Sequence, residues 1–233
     1  MKKLSSLSVF LPCYNEAKNI PHLVKDLTTV LPQITKKFEV IVVNDGSHDH
    51  TIGTTHRLQK KYPFLRLVSH EKNMGYGAAV HSGLMAATYD WVFLTDGDGQ
   101  FDVRELIDFL PWTTKYNAVI GYRKNRAEGW KRHFNAQLFK LYIQLLFRIK
   151  VKDIDCAFKL LKKEKIPLTK LKSRGAMIST ELLYYLRKRK VALKELPVSH
   201  YPRKFGVPTG NHPRVIVKAL RESLQLRIRL LTS

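Results

Sequence analysis

The stretch VFLTDGDGQF, residues 92–101, runs from four apolar or β-branched residues directly into two aspartates, Asp96 and Asp98, with one glycine between them. A continuous apolar run of this kind is typical of a strand that is buried on both faces of a sheet. Carboxylates one residue apart repel each other unless a cation lies between them. Taken alone, the pair fits a cation site and an acidic turn that caps the next helix equally well.

Similar apolar runs occur at 7–12, 38–45, 64–70 and 118–122, and helix-like segments separate them at about 16–31, 49–61, 76–88 and 102–114. The alternation predicts an α/β fold with a mostly parallel sheet and helices on both faces. Ligands bind such sheets beyond the carboxyl ends of the strands. The first four strands end in the polar clusters PCYNE, NDGSHDHT, HEKNMGYG and DGDGQ. Four clusters at one edge predict a binding site there.

The pattern changes after residue 122. Segment 134–149 is apolar nearly all round, 153–164 is predicted to be a turn and a short strand, and 177–190 is predicted to be a helix that ends in a basic run. Segment 212–231 is predicted to be a basic amphipathic helix, with an apolar stripe at Val217, Leu220, Leu224, Ile228 and Leu231. No segment resembles a free linker. We therefore predict one domain over residues 1–210 and an amphipathic C-terminal extension over 211–233.

The charge is large and unevenly placed. The chain has 41 basic and 19 acidic residues, a net charge of +22. Residues 1–100 hold 11 basic and 9 acidic residues, and the remainder holds 30 and 10. Such asymmetry indicates a polyanionic partner, which can be nucleic acid, an anionic membrane surface or a phosphorylated substrate. A nucleic-acid-binding protein is the least favoured alternative, because acids at the ligand edge would repel a polyanion.

The two cysteines, Cys13 and Cys156, lie in apolar surroundings. We expect small buried thiols in a reducing compartment. The chain has no evident secretory signal, and no apolar run approaches the roughly 20 residues that span a bilayer. These features predict a cytoplasmic chain, or one that attaches to a membrane peripherally from the cytosolic face.

Oxygen ligands beside phosphates suit Mg²⁺ or Mn²⁺, and such a cation can neutralise charge on a diphosphate leaving group. Asp96 and Asp98 are the candidate ligands, with Gln100 as a further ligand or as the residue that orients one. Asp45 is placed to accept from a base or ribose, and Glu16 suits the ribose hydroxyls. Gly75 and Gly77 fit close approach of a ligand, and they fit a plain tight turn as well.

In their order, LPCYNE, VVNDGSHDHT, NMGYGAAVHSG, LTDGDGQF and DIDCAFKLL resemble the motifs of family 2 inverting glycosyltransferases, especially the dolichol-phosphate mannosyltransferase type. The resemblance covers roughly residues 6–210. It implies a glycosyltransferase-A fold, a nucleotide-sugar donor, Mg²⁺ or Mn²⁺, and a polyprenyl or dolichyl phosphate acceptor on the cytosolic leaflet. GDP-mannose is the first donor that it suggests, followed by UDP-glucose and UDP-N-acetylhexosamine.

The resemblance also implies roles for single residues. The nucleotide-sugar pocket is assigned to Pro12, Tyr14, Glu16, Asp45, Asp96 and Gln100. The metal is assigned to Asp96, Asp98 and Gln100, catalysis to Asp98, Arg123 and Arg203, and the acceptor phosphate to Arg123, Arg203 and Lys204. A solvated surface charge is the alternative for both arginines. Gly97 stands where the family commonly has alanine, so we expect a looser loop.

Glu181 stands where other family 2 enzymes carry a catalytic acid pair, and here only one acid is present. We weigh a structural and a catalytic role for it evenly. A hydroxyl acceptor needs a general base, whereas an ionised phosphate needs positive charge. The basic second half therefore favours a phosphate acceptor over the alternative, a soluble saccharide.

Helices 134–149 and 212–231 suit a membrane interface, and anionic lipids would attract their basic residues. The alternatives are a core or dimer helix for the first segment and a packed surface helix for the second.

Overall fold

The computed structural model describes residues 3–124, 130–206 and 213–232 of the chain. Within these ranges seven strands form one sheet in the order β3-β2-β1-β4-β6-β5-β7. The strands are β1 Leu7–Cys13, β2 Phe38–Asn44, β3 Leu65–Ser69, β4 Trp91–Leu94, β5 Ala118–Arg123, β6 Lys159–Lys162 and β7 Leu193–Val198. Every pairing is parallel except those of β6, which runs antiparallel to both β4 and β5. The predicted mostly parallel α/β sheet is confirmed.

The helices are α1 Ile20–Ile34, α2 Thr51–Lys61, α3 Tyr76–Ala86, α4 Trp130–Phe147, α5 Ile178–Lys188 and α6 Pro213–Leu231. Helices α1 to α5 lie between strands along the chain, and α6 follows the last strand. The segment predicted as a helix at 102–114 is a 3-10 helix over Val103–Thr114. Pro111 lies inside it and has no backbone N–H to donate.

The apolar runs become the core because they are buried on both faces. All seven residues of β1 are buried, as are the last six residues of β2. β1 lies in the middle of the parallel part of the sheet, with Leu7 opposite Phe38 of β2 and Trp91 of β4. The carboxyl ends of β1, β2 and β4 therefore meet at one edge.

The two helices considered for a membrane interface are packed against each other. The Tyr142 hydroxyl of α4 lies 3.0 Å from the Ser223 hydroxyl of α6, and Leu226 and Leu230 of α6 are buried. The apolar stripe predicted on α6 does not take part in this packing and faces outward, since its residues Leu220, Leu224, Ile228 and Leu231 are exposed. On α4, Leu138, Leu141 and Leu145 are exposed as well. The side chain of Val217 and the domain boundary predicted at residue 210 lie outside the described residues.

None of the helices in the described part of the chain has both the length and the apolar character needed to cross a membrane.

Candidate active site

The loops that follow β1 and β2 are locked together by hydrogen bonds. Asn15 adopts a φ of 60°, a conformation that asparagine tolerates. Its backbone N–H donates to the Ser47 hydroxyl at 2.9 Å, and its side-chain oxygen accepts from the His48 backbone N–H at 2.9 Å. Asp49 accepts from the Ala17 backbone N–H at 3.0 Å. Two of the polar clusters thus form one rigid wall, and Tyr14 lies edge-on to His48 within it.

Asp45 connects this wall to the loop after β3. The residue is buried, and its carboxylate accepts from the backbone N–H groups of Met74 and Gly75, both at 2.9 Å. His70 Nδ1 lies 2.7 Å from the same carboxylate, and His70 Nε2 lies 2.8 Å from the Ser82 hydroxyl. Asp45 therefore holds the HEKNMGYG loop in place, and its contact with a base or ribose stays a prediction.

Asp96 and Asp98 follow β4 at the same edge. Asp96 keeps part of its surface accessible, yet its Oδ1 atom is buried and has no hydrogen-bond partner among the described residues. Burial, followed by the charge of Asp98, raises the pKa of Asp96 to about 7, although Tyr76, Lys159 and Arg123 act in the opposite direction. An unsatisfied carboxylate oxygen beside a second carboxylate is the arrangement that a hard divalent cation completes.

The protein alone would supply too few ligands for such a cation. Within residues 3–124, 130–206 and 213–232, no three His, Cys, Asp or Glu side chains converge on one point. Mg²⁺ commonly keeps several waters and takes only one or two carboxylates together with substrate phosphates. The two aspartates therefore fit a cation that shares its coordination with a bound diphosphate.

The loop between the two aspartates is tight, contrary to the expectation of a loose one. The Gly97 backbone N–H donates to the Pro12 carbonyl at 3.1 Å. A Cβ at Gly97 would lie 2.3 Å from Cys13 Sγ and 3.0 Å from the Pro12 carbonyl oxygen. Glycine is present because the loop rests directly on the end of β1. The Cys13 thiol is buried, and desolvation followed by the charge of Glu16 raises its pKa well above the usual value.

Arg203 lies across the acids and is not a solvated surface charge, since only 16% of its side chain is exposed. Its Nη2 pairs with Glu16 Oε1, and its Nη1 lies 3.8 Å from Asp98 Oδ2. Glu16 is buried and also accepts from the Asn19 amide at 2.7 Å. Burial raises the pKa of Glu16, although Asn19 and Arg203 oppose the shift. Arg203 therefore links the predicted ribose and metal residues.

Gln100 and Lys204 hold different places around Arg203. The Gln100 side-chain amide donates to the Tyr201 carbonyl at 2.9 Å, and the Tyr201 backbone N–H donates to the Gln100 carbonyl at 2.8 Å. This ties the segment that carries Arg203 to the loop of the aspartates. Lys204 is exposed beside it. The metal role of Gln100 and the acceptor role of Lys204 stay predictions.

Arg123, at the end of β5, is also largely buried, with 15% of its side chain exposed. Asp153 accepts from Arg123 Nε at 2.7 Å and from Nη2 at 2.9 Å. Burial opposes the charged form of Arg123, yet the Asp153 hydrogen bonds outweigh it and raise the arginine pKa. Sequence reasoning named Arg123 and overlooked this partner, which begins the DIDCAFKLL motif.

Glu181 is fully buried away from solvent and carries structural contacts. Its Oε2 accepts from the backbone N–H groups of Lys172 at 2.9 Å and Ser173 at 2.7 Å. Its Oε1 accepts from Arg229 Nη2 of α6 at 2.8 Å. The loop that it holds packs on the start of α3, where the Arg174 carbonyl accepts from the Ala78 N–H at 3.1 Å. These contacts support the structural role of Glu181.

Two residues that sequence reasoning missed also influence the site. Tyr76 lies at the first position of α3, and its hydroxyl lowers the pKa of Asp96. Lys159 is fully buried on β6. Its signal in the sequence was a lysine inside the otherwise apolar run AFKLL.

Sequence comparison finds relatives that are named as glycosyltransferases. The glycosyl transferase family 2 model matches residues 8–167. A dolichyl-phosphate beta-glucosyltransferase of Trichomonas vaginalis is 28% identical over 211 residues, which cover 82% of this chain and 64% of the relative. An uncharacterized glycosyltransferase of Synechocystis sp. is 32% identical over 158 residues, 66% of this chain and 49% of the relative. The chain thus spans less than two thirds of the length of these relatives.

Solved structures share the fold. Glucosyl-3-phosphoglycerate synthase from Mycobacterium tuberculosis in complex with phosphoglyceric acid has a TM-score of 0.71 at 18% identity, covering 95% of this chain and 79% of that one. The same protein with Mn²⁺, UDP and glucosyl-3-phosphoglycerate has a TM-score of 0.69 at 20% identity, covering 98% and 79%. The likeness confirms the predicted glycosyltransferase-A fold.

Proposed function

The chain belongs to glycosyl transferase family 2, and we propose that it transfers a hexose from a nucleotide sugar to a polyprenyl or dolichyl phosphate. The observation that carries the proposal is that one edge of the sheet holds both an unsatisfied carboxylate oxygen, Asp96 Oδ1, and two largely buried guanidinium groups, Arg123 and Arg203. The carboxylates suit a cation, and the guanidinium groups suit phosphates.

The proposed donor is UDP-glucose. The Trichomonas vaginalis relatives are named as glucosyltransferases, and solved structures of the same fold contain UDP or UDP-glucose with Mn²⁺. These names take precedence over GDP-mannose, which the motif resemblance suggested first. GDP-mannose and UDP-N-acetylhexosamine remain the donors to compare.

Different residues of the site have different roles in the proposed transfer. A divalent cation held by Asp96 and Asp98 would neutralise charge that develops on the leaving diphosphate. Arg203 is the residue that holds the diphosphate, since it is already placed between Glu16 and Asp98. An acceptor phosphate is ionised at neutral pH, so its oxygen attacks the sugar without a general base. Glu181, engaged with backbone N–H groups and Arg229, supplies none.

The test is transfer itself, measured with Mn²⁺ or Mg²⁺, a panel of nucleotide sugars and a short polyprenyl phosphate. Glucose on the lipid phosphate, detected by mass spectrometry, is the expected product. Asp98→Ala should abolish it, whereas Asp26→Ala on the exposed face of α1 should not. Transfer only to a soluble saccharide would support the alternative acceptor. No turnover with any donor would contradict the proposed activity.

A peripheral position on the cytosolic face of a membrane is proposed together with the lipid acceptor. The outer faces of α4 and α6 expose seven leucine or isoleucine side chains: Leu138, Leu141, Leu145, Leu220, Leu224, Ile228 and Leu231. Exposed basic residues, among them Lys218 and Arg221, lie on the same helix α6. An apolar face bordered by basic side chains suits an anionic lipid surface.

Sedimentation with vesicles tests this position. The protein should pellet with phosphatidylserine-containing vesicles and less with neutral ones, and Leu224→Glu should reduce pelleting. Thr29→Glu, which adds the same charge on the exposed face of α1, is the matched control and should pellet like wild type. A protein that stays in the supernatant and forms a dimer instead would show that a second copy covers this face.

A further inference from the structure

The DIDCAFKLL motif contributes more to the site than Asp153. Lys159, the first residue of β6, is fully buried. It lies opposite Leu94 of β4, two residues before Asp96, and opposite Ile120 of β5, three residues before Arg123. A buried ammonium group is costly unless its donors are satisfied. A lysine in the centre of this sheet therefore requires partners.

Its partners belong to the turn that precedes β6. The ammonium Nζ donates to the Ile154 carbonyl at 3.2 Å and also to the Cys156 carbonyl. Burial lowers the pKa of Lys159, and the charges of nearby acidic groups, Cys156 and Asp153 first, oppose the shift. Two carbonyls of one short turn are thus fixed by a single side chain that comes from the core.

The same turn presents Asp153 to Arg123. Asp153 uses both carboxylate oxygens on the Arg123 guanidinium and lies 3.3 Å from the Arg123 backbone N–H. A bidentate pair fixes the plane of the guanidinium as well as its position. The orientation of Arg123 therefore depends on where the turn holds Asp153.

We propose that Lys159 is a positioning residue for phosphate binding. It fixes the turn 153–157 and, through Asp153, the guanidinium of Arg123, which binds a phosphate ester at the carboxyl edge of the sheet. The contacts stand on the structure, and the identity of the phosphate rests on the proposed function: it is the diphosphate of the donor or the phosphate of the lipid acceptor.

A mutant cycle tests the proposal. Lys159→Met, Arg123→Met and the double variant are compared with Lys162→Met, a control at the other end of β6 that pairs with exposed Glu164. Two constants are measured: the Kd of UDP and of GDP with Mn²⁺ by calorimetry, and the KM for polyprenyl phosphate at saturating donor. Lys159→Met and Arg123→Met should both raise the same constant, by about tenfold, as expected for a charge-assisted contact. The double variant should bind no worse than Arg123→Met, and Lys162→Met should match wild type.

The two arms separate the sources of the phosphate. A change confined to Kd identifies the donor diphosphate, and a change confined to KM identifies the acceptor phosphate. If wild type binds nucleotide but transfers sugar to no lipid, the proposed acceptor is wrong, and the Kd arm still decides the role of Lys159.

Three results would overturn the role of Lys159. They are wild-type values of both constants in Lys159→Met, additive losses of affinity in the double variant, and a wild-type protein that binds neither UDP nor GDP and transfers no sugar. Because loss of a buried lysine can unfold the protein, Asp153→Asn is measured beside it. That change weakens the link to Arg123 and leaves the lysine and its carbonyl partners intact. It should reproduce the same altered constant, and wild-type constants in a folded Asp153→Asn variant would also overturn the proposal.

Discussion

Replacing Asp96 by asparagine tests whether the carboxylate pair is built for a cation. Burial and the charge of Asp98 raise the pKa of Asp96 to about 7, whereas aspartate in an unfolded chain has a pKa of about 3.9. Each pKa unit corresponds to about 1.4 kcal/mol. Without a cation, the fully ionised carboxylate therefore lowers the free energy of unfolding by at most about 4 kcal/mol.

The direction of the pH dependence follows from the raised pKa. Below pH of about 4, Asp96 is protonated in both the folded and the unfolded states, and it has no effect. As the pH rises toward about 7, the unfolded chain ionises while the folded protein retains the proton, so stability falls until the folded pKa is passed. The asparagine amide in the variant does not titrate. In EDTA, the free energy of unfolding of Asp96→Asn minus that of wild type should therefore grow by about 3 kcal/mol between pH of about 4.5 and 8.

Urea unfolding at a series of pH values measures this difference directly, because the two proteins differ only at residue 96. Asp26→Asn on α1 serves as the matched acid-to-amide control and should show no such growth. Mn²⁺ should stabilise wild type by mass action and stabilise Asp96→Asn much less. A difference that stays constant across pH in EDTA would show that the pKa of Asp96 is not raised, and an equal effect of Mn²⁺ on both proteins would show that Asp96 is not a cation ligand.

Three further substitutions address the surrounding contacts. Gly97→Ala should cost about 1–3 kcal/mol in urea unfolding, because its Cβ meets Cys13 Sγ. Adding Cys13→Ala should recover only part of the loss, because the contact with the Pro12 carbonyl oxygen remains. Glu181→Gln weakens the ion pair with Arg229 and should lower the free energy of unfolding by less than the cost of breaking a buried pair, which is about 3–5 kcal/mol. Sugar transfer per folded molecule should stay near wild type. A folded variant that binds nucleotide but transfers no sugar would contradict this. Arg203→Met should lower kcat/KM for the donor by about tenfold or more, and unchanged kinetics would remove Arg203 from the site.

The parallel half of the fold was readable in the sequence because its signals are local. A buried parallel strand is a continuous apolar run, and the loops after such strands carry Asp, Asn and Gly for reasons of turn geometry. The segment predicted at 38–45 forms the strand Phe38–Asn44, and the apolar run that precedes Asp96 forms the strand Trp91–Leu94. The four polar clusters follow four strands of one sheet, so their common edge could be deduced before any contact was known.

The other half of the site depends on contacts between distant parts of the chain. Arg203 meets Glu16 across 187 positions, and Arg123 meets Asp153 across 30. Neither pairing has a spacing that sequence reasoning can recognise, and the insertion of antiparallel β6 between β4 and β5 brings the second pair together. β7 was missed because LKELPV is an edge strand whose polar and apolar residues carry no continuous run.

The hydrogen bonding of the buried acidic residues indicates where the active centre lies. Five acidic residues of the described chain are buried, and each accepts hydrogen bonds: Glu16, Glu39, Asp45, Asp153 and Glu181. Buried polar atoms in folded proteins are paired almost without exception, so an unpaired one requires an explanation. Among the described residues, Asp96 Oδ1 is the buried carboxylate oxygen without a partner. A chain that satisfies five buried acids with its own N–H groups and leaves one oxygen open beside Asp98 is built to receive positive charge there from outside the chain.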